Sequence, residues 1–141
     1  MTQNPPDEEV LRQLVTEIRL LEGTADTLQS RLNMIDASLA DLRVAHQTLQ
    51  GLKEQKADAQ LLVPIGGNTY VKAKLEDPST VITGIGAEVA MEKSVDETQE
   101  RVNQQLSELE KVRISIQQQL SQVVSRIEEG RARLNDMARQ E

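Results

Sequence analysis

LRQLVTEIRLLEGTADTLQSRLNMIDASLADLRVAHQTL, residues 11–49, holds the pattern that decides the fold. Leu11, Leu14, Ile18, Leu21, Ala25, Leu28, Leu32, Ile35, Leu39, Leu42, His46 and Leu49 recur at alternating steps of three and four, and ten of these twelve are Leu or Ile. That is the a/d seam of a coiled coil. A straight helix drifts from a strict seven-residue repeat, so a stripe this long stays in line only by supercoiling around a partner helix. The partner lies in the same chain. From Val95 the repeat returns as Val102, Leu106, Leu109, Ile116, Leu120, Val123, Ile127, Leu134 and Met137, with Gln99, Arg113 and Gly130 at its non-apolar seam positions.

Composition narrows the class further. The 141 residues include no Cys, Trp or Phe and a single Tyr, Tyr70, so the large aromatic side chains of an ordinary globular core are missing. With 28% charged and 38% hydrophobic residues in heptad order, the chain is neither low-hydrophobicity disorder nor a membrane span. A net charge of -7 argues against nucleic acid and against anionic membrane surfaces as partners, because both need clustered Lys and Arg. Met1–Pro6 has neither a charged n-region nor an apolar h-region, and disulfides are impossible, so a cytoplasmic location is expected.

Helix signals bound the two arms. Asn4 can cap a helix with Pro5 at its first position, and Asp7, Glu8 and Glu9 suit the N-terminal end of the macrodipole. The first helix is expected over 5–57, because the seam runs out at Lys53 and Lys56. Ser94-Val95-Asp96-Glu97 reads as a capping box, which starts a second helix over 94–139. Each arm of some 45 residues would be a rod of roughly 70 Å.

Between them, residues 58–93 have the other periodicity. Gln60–Ile65 is a short apolar run, Gly66-Gly67-Asn68 a turn, and Thr69–Leu75 alternates Val71, Ala73 and Leu75 with Tyr70, Lys72 and Lys74. A second hairpin is expected from Thr80–Thr83, a turn at Gly84-Ile85-Gly86, and a strand carrying Ala87, Val89 and Met91.

Helices of similar length around a compact insert must run antiparallel, since a parallel pair would need the connection to retrace the whole rod. Opposed seam residues then have a constant sum. A sum of 148 sets Leu14 against Leu134, Ile18 against Gly130, Leu21 against Ile127 and Leu32 against Ile116. A sum of 155 would set Ala25 against Gly130 and leave a cavity in that layer, at about 24 cal/mol per Å³.

Two hairpins bury little surface alone and leave unpaired strand edges that attract other chains. Leu62, Val63, Ile65, Tyr70, Val71, Ala73, Leu75, Val81, Ile82, Ile85, Val89 and Met91 are therefore expected at an oligomer interface. A β-barrel shared between subunits would satisfy edges and core together. The overall expectation is an α+β chain: a long antiparallel two-helix coiled coil joined by two consecutive β-hairpins that assemble into an intersubunit β-barrel.

The middle also carries a resemblance over essentially the whole chain. Leu62-Val63-Pro64-Ile65-Gly66, Tyr70-Val71-Lys72-Ala73, Val81-Ile82-Thr83-Gly84-Ile85-Gly86-Ala87 and Val89-Ala90-Met91-Glu92-Lys93 resemble the double-hairpin block of the archaeal prefoldin alpha subunits. The heptads alone would fit many coiled-coil proteins. Two hairpins distinguish the alpha class from the single-hairpin beta class. The resemblance implies a hexamer of two alpha and four beta subunits, a double β-barrel platform with six coiled-coil tentacles, and ATP-independent capture of non-native polypeptides for delivery to a group II chaperonin.

Capture would take place at the distal ends of the helices, where Val10, Leu11, Leu14, Val15, Ile18, Ile127, Leu134 and Met137 gather. Val10 and Val15 lie off the seam. Gly23 and Gly130 each weaken their helix by about 1 kcal/mol relative to Ala and should loosen that end. Each tip would bind weakly, and several tips on one unfolded chain would add avidity without sequence specificity.

No other motif points to chemistry. His46 is the single histidine, a polar seam residue rather than a metal ligand, because Zn sites need several N or S donors. Gly66-Gly67-Asn68-Thr69 lacks the Gly-Lys-Ser/Thr of a P-loop, and Gly84-Ile85-Gly86 lacks a third glycine before a helix. Arg113, opposite Ile35, reads as a snorkelling or register residue. Asp96, Glu97 and Glu100 form a helix N-terminus, and Glu128, Glu129, Arg131 and Arg133 a solvated face. No enzyme, cofactor or metal site is expected. The competing reading is a structural tether or adaptor, for which a tight loop between the helices would suffice.

Overall fold

The computed structural model describes the backbone of residues 5–139 and the side chains of 8–139. In chain order it contains helix α1 (Pro5–Leu52), strands β1 (Gln60–Gly66), β2 (Thr69–Lys74), β3 (Thr80–Gly86) and β4 (Val89–Ser94), and helix α2 (Val95–Arg139). The cap expected at Asn4 and the side chain of Asp7 lie outside the described residues. None of the described helices is long and apolar enough to cross a membrane.

Two compact units are present: the described residues of 5–38 with those of 109–139, here the terminal unit, and Leu39–Glu108, the hairpin unit. In the terminal unit one buried cluster joins Leu14, Ile18 and Ile127, and another joins Leu28, Leu32 and Ile116. Gly130 faces Ile18, with the Ile18 Cγ1 3.0 Å from where a Cβ would stand, so the register is the one with sum 148. Leu32→Ala should lower the unfolding free energy by about 2–5 kcal/mol in a denaturant titration, since a buried leucine would leave a cavity between packed helices.

In the hairpin unit the core is Leu49, Val95 and Val102, with Val81 of β3 packed on it. Gln99 is the buried polar seam residue, and its amide donates to the Gln50 Oε1 at 2.7 Å. Such a polar pair favours one register over slipped ones. Helix α2 starts as its capping sequence dictates: the Glu97 amide donates to Ser94 Oγ at 3.1 Å, directly after β4.

Helix α1 ends at Leu52, five residues before the expected end at Ala57. Gly51 weakens the last turn, and the Glu54 and Gln55 amides donate to the carbonyls of Gly51 and Leu52, tightening the chain into three-residue turns. Lys53 pairs with Asp96 at 2.9 Å instead of continuing the helix. Asp58, at φ 66°, then turns the chain into β1.

The two antiparallel hairpins form separate two-stranded sheets, β1–β2 and β3–β4. They are built alike at an offset of 20 residues: Gln60 pairs with Lys74 as Thr80 does with Ser94, and Gly66 with Thr69 as Gly86 does with Val89. Each has a register shift just before its turn, at Pro64/Gly66 and at Gly84/Gly86. The expected turn at Gly84-Ile85-Gly86 is therefore displaced: these residues belong to β3, where Gly86 takes φ 107° beside the bulge, and the turn falls on Ala87 and Glu88. Both turn residues have positive φ, 48° and 61°, as do Gly67 and Asn68 in the first hairpin. Two-residue turns with positive φ at both positions match the twist of the strands, but they suit Asn and Gly better than Ala and Glu. Replacing Ala87-Glu88 with Asn-Gly should stabilise the hairpin by about 1 kcal/mol, read as roughly fivefold greater hydrogen-exchange protection of β3–β4 amides.

Between the hairpins, the Ser79 hydroxyl and amide both donate to Asp77 Oδ1 and hold its carboxyl below the ordinary carboxylate range.

Candidate functional site

The strand pairing sorts the hairpin side chains by face. In the first hairpin Leu61, Val63, Val71 and Ala73 share one face, and Leu62, Pro64, Tyr70 and Lys72 the other. In the second, Val81, Thr83, Met91 and Lys93 share a face, opposite Ile82 and Glu92. Both faces thus carry apolar groups, and the residues expected at the oligomer interface fall on both. Leu62, Val63, Ile65, Tyr70, Val71, Ile82, Ile85, Val89 and Met91 are all exposed in the chain, Ile82 at 78% and Leu62 at 66%. Ala73, Leu75 and Val81 are half-buried. Val81 differs from the others because it packs against the cluster of Leu49, Val95 and Val102 in its own chain's helices. Exposed apolar side chains on strands with free edges form an unfinished surface that invites further chains.

The terminal unit presents a second apolar region. Val10 and Leu11 are exposed, Leu11 at 38%, and Val15, Leu134 and Met137 are half-buried. Leu14, Ile18 and Ile127, grouped with them by sequence, are buried instead, Leu14 at 6%. Gly130 explains this, because without a side chain it lets Ile18 seat fully in the seam beside Leu14. Gly130, the glycine expected to loosen this end, stands against Ile18 in its third layer. Leu20, 68% exposed, is an apolar surface residue that the heptad reading passed over, since it lies off the seam.

Charges flank these layers. Arg126 pairs with Glu17 at 3.5 Å and Arg131 with Glu22 at 2.8 Å, so Arg131, read as part of a solvated face, bridges the two helices. Arg113 donates to Asp36 at 2.6 Å rather than merely snorkelling, and that bond raises its already high pKa. His46 Nδ1 is buried without a hydrogen-bond partner. Among the described residues no three His, Asp or Glu side chains gather as a metal site would require.

The family model for prefoldin subunits matches residues 21–140, from within α1 through both hairpins and α2. The chain belongs to the prefoldin family. The prefoldin subunit alpha of Methanopyrus kandleri is 36% identical over 123 residues, covering 85% of this chain and 78% of the relative. That of Pyrococcus horikoshii is 28% identical over 130 residues, covering 92% and 86%. A filamentous prefoldin from Methanocaldococcus jannaschii, solved by cryo-electron microscopy, has the same fold, with a TM-score of 0.67 at 24% identity over 83% of this chain and 97% of that one. The resemblance read from the double-hairpin block thus holds, and the alpha-class relatives span nearly the whole chain. Prefoldin is a chaperone family and not an enzyme family. Among the described residues, the hairpins and the end of the terminal unit near Val10 and Leu11 both leave large apolar side chains exposed.

Proposed function

We propose that this prefoldin chain is the alpha subunit of an ATP-independent holdase, joined through its hairpins to beta subunits in a hexamer of two alpha and four beta. Strands β1–β4 complete an intersubunit β-barrel with their partners. The helical ends capture non-native polypeptides and pass them to a group II chaperonin, in the cytoplasm. The observation that carries this reading is the set of nine large apolar side chains left exposed on two small sheets, which a tether would have no reason to display. Val10, Leu11, Val15, Leu134 and Met137 make first contact with the client, and Leu14, Ile18 and Ile127 underlie them as the seam. One such end binds weakly, and several ends on one client raise the effective concentration enough to hold it.

The test is light scattering of a denatured client diluted with the assembled complex in the absence of nucleotide. Suppressed aggregation is expected. Scattering equal to that of the client alone would overturn the holdase reading in favour of the tether.

A further inference from the structure

The two sides of the Gly130 layer are unlike. On one side Glu17, Arg126, Glu129 and Arg133 close over the seam, with the Glu17–Arg126 pair among them, and leave a space of about 100 Å³. On the other side a groove of about 250 Å³ lies open between Val15, Ile18, Arg19, Glu22, Arg131 and Leu134. The difference originates at Val15. Flanking positions of a coiled coil usually hold charged side chains that cover the seam, and Val15 leaves an apolar floor with Ile18 and Leu134.

The lip of this groove is cationic in a particular way. Every cation in residues 8–22 and 126–139 is arginine; the lysines stand at 53, 56, 72, 74, 93 and 111. Arg131 is tied to Glu22, while Arg19 forms no ion pair among the described residues. A guanidinium is planar and weakly hydrated, and it stacks on aromatic faces where an ammonium prefers water. The terminal unit has no aromatic residue of its own to occupy it, since Tyr70 is the chain's only one. The volume suits a single large side chain.

Resting on the capture reading above, we infer that this groove is a subsite for one aromatic side chain of an extended non-native segment. The ring lies on Val15, Ile18 and Leu134 with its face toward the Arg19 guanidinium. The chaperone would then favour clients rich in exposed Phe, Tyr or Trp over purely aliphatic ones, through the complement of a negative ring face and the Arg19 cation.

The experiment labels the Ile, Leu, Val and Met methyl groups of this subunit alone within the assembled complex. It is titrated with two short peptides that differ only in one residue, phenylalanine or its saturated analogue cyclohexylalanine. The phenylalanine peptide should shift the Val15 and Ile18 methyl signals by ring current and bind about threefold more tightly. Arg19→Gln should remove that preference and leave the saturated peptide's affinity unchanged, and Val15→Glu should weaken both about tenfold. Equal affinities for the two peptides, or an equal loss of both on Arg19→Gln, would overturn the inference. So would unmoved Val15 and Ile18 signals while Leu11 and Met137 respond, an outcome that leaves capture standing. No response from any of these methyls would overturn both.

Discussion

The double variant Val71→Asp, Ile82→Asp, with one carboxylate in each hairpin, is expected to abolish co-assembly with beta subunits while the isolated subunit keeps its helical circular dichroism. Both side chains are exposed in the single chain, so the new charges remain hydrated there. In an assembled barrel they would lose water without gaining a partner. A buried unpaired carboxylate costs several kcal/mol, so association should weaken on the order of 1,000-fold or more. Size-exclusion chromatography with light scattering reads the outcome. Because aspartate also disfavours strands, the milder pair Val71→Thr, Ile82→Thr serves as a companion: it keeps strand propensity and should assemble with reduced affinity. Full assembly of the aspartate variant would remove these hairpins from the interface.

Removing residues 1–15 and 134–141 is expected to have the opposite profile, with the oligomer intact and suppression of client aggregation lost. The shortened chain keeps the cluster of Leu28, Leu32 and Ile116 and the whole hairpin unit, so the mass of the complex should fall only by the residues deleted. It loses Val10, Leu11, Val15, Leu134 and Met137, the apolar groups accessible at that end. The double variant Leu11→Ser, Met137→Ser should show a partial loss in the same scattering assay. Undiminished suppression by the shortened complex would place capture elsewhere.

The helical pairing was legible because its information is local and periodic. Leu and Ile at steps of three and four define the seam, and Gly130, the one seam position without a side chain, selects a register in which it meets Ile18. The hairpins were legible as elements, because alternation and turn residues mark them, but their details were not. Gly84 and Gly86 look like turn residues, yet Gly86 serves a bulge while Ala87 and Glu88, residue types that rarely take positive φ, form the turn. The early end of α1 depends on Gly51 and on a lysine drawn to Asp96, an ion pair between residues 43 positions apart. The terminal site divided for a similar reason. Heptad position identifies Leu11 and Leu14 equally, and only packing shows that Leu14 is sealed while Leu11 is open. The Gln50–Gln99 and Asp36–Arg113 bonds likewise join residues whose proximity exists only after the helices are set in register.

Native mass spectrometry of the unaltered subunit mixed with its beta partner tests the central claim most directly. The account predicts one hetero-oligomeric species containing two copies of this chain, with no free subunit remaining once beta is in excess. A 15.7 kDa chain that stays alone under those conditions would contradict it.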